Sequence, residues 1–308
     1  MKQLLYIFIF FPIVFNAQEI ISEDINMTNG EIKIPGTLSY LKTNDKVPLV
    51  IFVHGSGNID RNGNQAGTPV QANYIKTLSD SLITKEIAFY RYDKRTATPE
   101  NMAKLNVITL KDFANDVKVV INHFKNDPRF SSIHLIGHSQ GSLVAMLAIT
   151  DDIKSYISIA GAGESIDKTI VKQLNGQSPE LAKVAKQHID ELMKTDTIVS
   201  VNPFLISLFA PQNQKFWKNW MLINPEEEIK KITIPILIIN GESDLQVKVS
   251  DAEGLKAANP KATLVIIPKM NHVMKVVDSI EENQQAYIDE KYPLSSILVH
   301  NLSEFIKS

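Results

Sequence analysis

The stretch LIGHSQGSLVAMLA, residues 135–148, places one serine between two glycines where one apolar run ends and another begins. The run at 133–136 predicts a short strand, and the residues from Gln140 to about Ile149 predict a helix. Glycines at 137 and 141 let a strand and a helix approach where a Cβ would collide. The bland reading of Gly137-His138-Ser139-Gln140-Gly141 is a tight strand-to-helix turn. The sharper one is a hydroxyl raised on strained backbone for nucleophilic attack. Three fixed positions recur by accident, so the rest of the chain must decide.

Residues 30–43 alternate and contain turn residues, which predicts an opening β-hairpin. VPLVIFV, residues 47–53, is a continuous apolar run of the kind that forms a strand buried on both faces; it ends in His54-Gly55-Ser56-Gly57. A helix is expected over about 70–84 and a strand over about 87–92. The next helix, 110–125, has Phe113, Val117, Val120, Ile121 and Phe124 at helical spacing. Further strands are expected at 156–160, 234–239 and 263–267, with a last helix at about 294–307. Strands alternating with helices predict an α/β fold, a mostly parallel central sheet flanked by helices.

Residues 162–230 break that rhythm. Ser178-Pro179-Glu180 is a helix start, and Leu181, Val184, Ala185, His188, Ile189, Leu192 and Met193 follow on one face. An aromatic group comes next: Phe204, Phe209, Phe216, Trp217 and Trp220. The segment reads as a helical cap insertion, leaving 19–161 and 231–308 as the core. Its aromatics suit an apolar acyl or aryl group, and equally an ordinary core of the insertion.

The first residues, MKQLLYIFIFFPIVFNAQ, have one lysine before an apolar run too short to span a membrane comfortably, and Ala17 stands near a plausible cleavage point. Residues 1–18 therefore read as a signal peptide, which implies a periplasmic or secreted protein with no stable membrane span after its removal. The chain has no cysteine, hence no disulfide and no lipid attachment through one. Its 308 residues can bury a sizeable core, and a net charge of −2 excludes the strongly basic surface of a nucleic-acid binder.

A serine hydroxyl needs a base beside it, and seven histidines are available. His54 and His138 sit in motif loops and suit loop-shaping hydrogen bonds. His123, His134, His188 and His300 fall within helices or a buried strand. His272, in Lys269-Met270-Asn271-His272-Val273, directly follows the last strand. The acid belongs between Ser139 and His272, after a strand, and Ile236-Leu237-Ile238-Ile239-Asn240-Gly241-Glu242-Ser243-Asp244 supplies it. Asp244 is preferred, because the turn at Gly241 uses Glu242 to reverse the chain; Asp251 is the weaker choice, a solvated residue of the next helix. An oxyanion would be met by the backbone N–H groups of Gln140 and Ser56, in which role neither side chain need matter.

These residues resemble the α/β-hydrolase superfamily over about residues 30–305, outside the cap. More narrowly, VPLVIFVHGSGNIDRNGN, YRYDKRT and LIGHSQGSLVAMLA are similar to exported bacterial hydrolases of the serine-aminopeptidase-like or acyl-esterase type. One departure is Ser142 after Gly141, where glycine or alanine is commoner. The resemblance implies a Ser139–His272–Asp244 triad, a cap at 162–230, and an acyl hydrolase with no cofactor and no metal. Asp60-Arg61 and Asp93-Arg95 are read as structural ion pairs.

The expected function is a serine hydrolase, carboxylesterase-like, that cleaves a small ester through an acyl-enzyme. An aminopeptidase or amidase on short peptides is the alternative, for which Glu164, Glu180 or Glu191 could hold a free amine. A non-catalytic ligand-binding protein of the same fold is the reading from another class.

Overall fold

The computed structural model describes residues 19–308; the leader expected at 1–18 lies outside them. The opening hairpin is longer than expected and begins earlier. Strand β1 (Ile20–Asn29) pairs antiparallel with β2 (Ile32–Leu41), so residues 30–43 supply the turn and the second strand only. The first strand was hard to read because it lies at the sheet edge. Only one face meets protein, and its sequence IISEDINMTN is mostly polar.

Next come β3 (Val47–Val53), α1 (Tyr74–Ile83), β4 (Ala88–Tyr92) and α2 (Leu110–Phe124), which opens with Thr109 and Asp112 capping each other's backbone. Then β5 (Phe130–His138) leads into α3 (Gln140–Ala148), followed by β6 (Ile153–Ile159). Five helices occupy the 162–230 segment: α4 (Ile166–Asn175), α5 (Pro179–Thr195), α6 (Ile206–Phe209), α7 (Pro211–Met221) and α8 (Pro225–Lys230). The chain closes with β7 (Ile236–Gly241), α9 (Val249–Ala258), β8 (Thr263–Ile267), α10 (Ile280–Gln285) and α11 (Ser296–Lys307).

The eight strands form one sheet in the order β1-β2-β4-β3-β5-β6-β7-β8. Its β1–β2 and β2–β4 pairings are antiparallel and all others parallel. The apolar run of β3 now has its reason. Leu49, Ile51 and Val53 enter the core layer beneath α2, α3 and α9, whereas Val50 and Phe52 enter the opposite layer beneath α1 and α11. Each such side chain contributes about 1.5–3 kcal/mol by leaving water, and a polar residue on either face would forfeit it.

The 162–230 segment has a third core of its own, in which Ile170, Ala185, Leu192, Leu205 and Phe209 meet. Trp220 and Ile229 instead join the layer beneath α2 and α3. Phe204, expected among the clustered aromatics, is 83% exposed. Among the described residues no helix is long and apolar enough to cross a membrane.

Candidate active site

Parallel strands all point their carboxyl ends the same way, so the loops after β3, β4, β5, β7 and β8 gather on one edge of the sheet. Ser139 stands at the sharpest of these turns, with φ 55° and ψ −123°. That is a left-handed backbone on a residue with a Cβ, a conformation that costs roughly 1–3 kcal/mol and persists only when its surroundings enforce it. Here they do. The Ser139 N–H donates to the Ile159 carbonyl, its own carbonyl accepts the Ser142 N–H, and both bonds are 2.9 Å long. A Cβ at Gly141 would overlap the carbonyl oxygens of Val53 and His54, and one at Gly137 would lie 2.6 Å from Ser142 Cα. Both glycines are therefore demanded by close approach of helix to strand.

Asp244 follows β7 and is almost fully buried. Its Oδ1 accepts the N–H groups of Gln246 at 2.8 Å and Val247 at 2.9 Å, and its Oδ2 lies 2.8 Å from His272 Nδ1. Burial works to raise the Asp244 carboxyl. The His272 imidazole and the two N–H donors outweigh it, and the group sits below the ordinary aspartate range. A carboxylate can only accept, so Nδ1 of His272 carries a proton toward Asp244.

His138 shapes this loop. Its Nε2–H donates to the His272 carbonyl at 2.8 Å, and the two rings lie 4.8 Å apart. Burial, helped by neighbouring His272, pushes the His138 imidazole down to about 3, and burial does the same to His54. Both are therefore neutral. Two further histidines hold structure together: His134 bridges Ser132 and Ser155, and His188 accepts the Asn202 N–H. Glu242 is exposed at its turn. Asp251 lies in α9 and is engaged there, accepting the N–H groups of Lys248 and Gly163.

The structure brings Ser139, His272 and Ser56 to the wall of one cavity of about 150 Å³, which Tyr74 and Tyr287 also line. A second cavity, about 290 Å³, opens from Ser139 toward the 162–230 helices and is lined by Gln140, Leu143, Trp217 and Trp220. The two indoles stack with centroids 5.3 Å apart and planes 5° from parallel. Gln246 borders both cavities and donates to the Tyr287 hydroxyl. Ser139 Oγ has no hydrogen-bond partner among the described residues, so its hydroxyl is left to the cavity. A serine and a histidine that share a cavity in this way commonly come into hydrogen-bonding contact only when substrate binds. Gln140 begins α3, so its N–H has no carbonyl one turn back. The Ser56 N–H likewise has no acceptor among the described residues. Gly55 lets its loop press against Ser139, for a Cβ there would sit 3.2 Å from Ser139 Cβ.

Of the carboxylates expected to suit a free amine, Glu164 alone borders the larger cavity, paired with Lys172 at 2.6 Å. Glu180 lies at the exposed start of α5, and Glu191 accepts the Val199 N–H. Among the described residues neither Asp/Arg motif pairs within itself, and only one ion pair joins the two. Arg61 grips Asp93 through two nitrogens, Arg95 grips Asp116, and Asp60 accepts the N–H groups of Asn62 and Asn64.

Two groups escaped the sequence reading. Trp217 and Trp220 were noticed only as part of an aromatic group, and their i, i+3 spacing was the available sign that they share a face. Lys94, lying between the two charged residues of Asp93-Arg95, drew no attention at all. Among the described residues no three His, Cys, Asp or Glu side chains cluster as metal ligands do.

A family model described as BD-FAE matches residues 39–258. The esterase EstD of Thermotoga maritima is 26% identical over 246 residues, which cover 78% of this chain and 58% of that protein. The chain thus spans less than two thirds of the length of that relative. Est1E from Butyrivibrio proteoclasticus superposes with a TM-score of 0.58 at 20% identity, covering 92% of this chain and 97% of that one. The Pyrococcus furiosus esterase Pf2001 gives 0.56 at 19% identity over 94% and 91% of the two chains. An acylaminoacyl peptidase of Pyrococcus horikoshii gives 0.58 at 14% identity, covering 96% of this chain but 42% of that one. At such identities these structures speak for the fold, and the fold is that of the α/β hydrolases.

Proposed function

The chain belongs to the BD-FAE family, within the α/β-hydrolase superfamily, and from that premise we propose that it is a serine carboxylesterase working through Ser139, His272 and Asp244. The observation that carries this reading is the 2.8 Å contact of His272 Nδ1 with a buried, doubly anchored Asp244, facing the cavity onto which Ser139 is forced. Nε2 of His272 takes the serine proton as Oγ attacks the ester carbonyl. Asp244 holds the imidazole tautomer and stabilises the imidazolium that forms. The new oxyanion lies between the N–H groups of Ser56 and Gln140, each such donor supplying about 2.7–4 kcal/mol to the transition state. The imidazolium then protonates the departing alcohol, and water released from its proton by His272 resolves the acyl-enzyme. In this reading the 162–230 segment is a cap whose Trp217 and Trp220 border the acyl side, and export follows from a leader at 1–18.

The names of EstD, Est1E and Pf2001 support an ester over an amide. One observation favours a second reading, a peptidase on short peptides: Glu164 places a carboxylate at the larger cavity, where a free amine could rest. Its partner Lys172 offsets that charge. A fluorophosphonate probe tests the nucleophile: wild type is expected to be labelled and Ser139→Ala not. An unlabelled wild type would remove the hydrolase reading. Short-chain p-nitrophenyl esters set against aminoacyl nitroanilides then decide the bond, and faster turnover of the anilides would replace the esterase by the peptidase.

A further inference from the structure

Lys94 follows β4 and is buried, yet no carboxylate oxygen lies within hydrogen-bonding distance of its ammonium. The Nζ donates to the Gly55 carbonyl at 2.7 Å and to Gln140 Oε1 at 2.8 Å, and sits 4.4 Å above the centre of the Phe113 ring. Three protons on nitrogen find two oxygens and a π face. A buried cation paired only with neutral groups is costly to maintain, which calls for a reason.

The reason lies in which groups it holds. Gly55 C=O and Ser56 N–H belong to one peptide unit, planar and trans, so oxygen and hydrogen point in opposite directions. Anchoring the oxygen on Lys94 aims the Ser56 N–H away from the lysine, and the positive charge polarises that N–H as a donor. Gln140, the second Lys94 partner, carries the other proposed oxyanion donor on its own backbone. The Lys94 backbone is fixed in turn, its N–H bonded to the Ile59 carbonyl and its carbonyl accepting the Ala97 N–H.

We infer that Lys94 is a positioning residue of the oxyanion hole, an ammonium that ties the loop after β3 to the start of α3 and holds the Ser56 and Gln140 N–H groups on the developing negative charge. The inference rests on the esterase reading above. It also revises the expectation that the Gln140 side chain need not matter to that hole. Lys94 does not touch substrate; it acts through the two donors.

Burial pushes the Lys94 ammonium down to about 7. The charged and titratable groups around it leave that charge unopposed at close range. On α2, Asp116 and Asp112 face Arg95, and Asp93 on its own loop is gripped by Arg61. His54, across the small void it shares with Lys94 and Tyr92, is neutral, and burial holds the Tyr92 phenol protonated. The charged form exists at low pH and is lost as pH rises, so the hole loses its reinforcement on the alkaline side.

The test is steady-state hydrolysis of a p-nitrophenyl ester from pH 6 to 9.5, with fluorophosphonate labelling run beside it. For wild type, kcat is expected to fall about fivefold across an alkaline limb centred near 7, the difference between a charge-assisted and a neutral hydrogen bond. In Lys94→Met, kcat at pH 6.5 should fall about tenfold to hundredfold at nearly constant KM, and the limb should vanish. Gln140→Ala leaves Lys94 in place and disturbs the core least. It should lower kcat several-fold and move the limb to lower pH, because the ammonium has lost an acceptor. A labelled, active wild type whose kcat at pH 6.5 is unchanged in Lys94→Met, or whose profile Gln140→Ala leaves identical, overturns the Lys94 inference alone. An unlabelled, inactive wild type overturns the esterase reading and this inference with it.

Discussion

The edge of the sheet around Ser139 and the helices of 162–230 are built by opposite rules. Around Ser139 the backbone of three loops is in contact: Gly141 lies against the carbonyls of Val53 and His54, Gly55 against Ser139, and His138 holds the His272 carbonyl. A methyl group in the wrong place there has nowhere to go, while the Ser139 hydroxyl and the Ser56 and Gln140 N–H groups are left without a partner among the described residues. The 162–230 helices hold a small core around Phe209 and leave Val199, Phe204 and Leu222 in water. Their contacts run from side chain to side chain and from side chain to backbone, as where His188 accepts the Asn202 N–H and Gln214 donates to the Phe209 carbonyl. Chemistry that needs atoms placed within a fraction of an ångström suits the first region. Selectivity, which is worth only about 1–3 kcal/mol for a methylene in an apolar pocket, suits the second.

That contrast is open to attack at several points. The largest effect should come from Ser139→Ala, which is expected to lower kcat by roughly 10⁶-fold with an unchanged urea midpoint; retained turnover would move the nucleophile elsewhere. Asp244→Asn should lower kcat by about 10⁴-fold, because an amide no longer fixes the His272 tautomer. A loss under tenfold would demote Asp244 to a loop anchor.

The next effect is on stability and belongs to the buried imidazoles. Burial lowers His54 and His138 to about 3 and His134 to about 4, below their value in an unfolded chain. Between those limits the unfolded chain binds the extra protons. Stability is therefore complete above about pH 6.5 and falls as pH drops, by about 1.4 kcal/mol per pH unit for each histidine. Urea unfolding at pH 7 and pH 5 measures it, and equal midpoints would deny that these rings are held neutral.

Smaller still, Ser139→Gly should be more stable than Ser139→Ala by about 1 kcal/mol, since glycine accepts φ 55° without strain. Equal stability would mean that no strain is stored at the turn. The smallest effect is expected from Phe204→Ser, within about 0.5 kcal/mol of wild type because the ring is already in water. A large loss there would show that the 162–230 helices are as tightly specified as the sheet edge.

The strands that position the site were legible because a strand covered on both faces must be apolar along its whole length. For 47–53 the expected and observed bounds coincide; they coincide also for 263–267, an edge strand with only Ile267 buried, which its apolar run alone made legible. The serine, acid and histidine could be picked out because each follows an apolar strand, where parallel order alone brings loops together. β1, at the other edge, was missed because its sequence IISEDINMTN is mostly polar and half of its residues face solvent. The aromatic group in 162–230 was seen as a group, but nothing in its spacing told Phe204, on the surface, from Phe209, in the segment's core.

By itself the sequence determined the alternation of strands and helices in the core after β1, the two glycines that a close turn requires, and which residue types stand at strand ends. Those properties are local, set by periodicity and by backbone sterics over a few residues. Only the tertiary structure decided that Lys94 reaches Gly55 and Gln140, 39 and 46 positions away, that His138 holds a carbonyl 134 residues on, and that Arg61 pairs with Asp93 and not with Asp60. Such partners are chosen by sheet register and by which buried polar group is left without a bond. No stretch of sequence contains that information until the strands have paired.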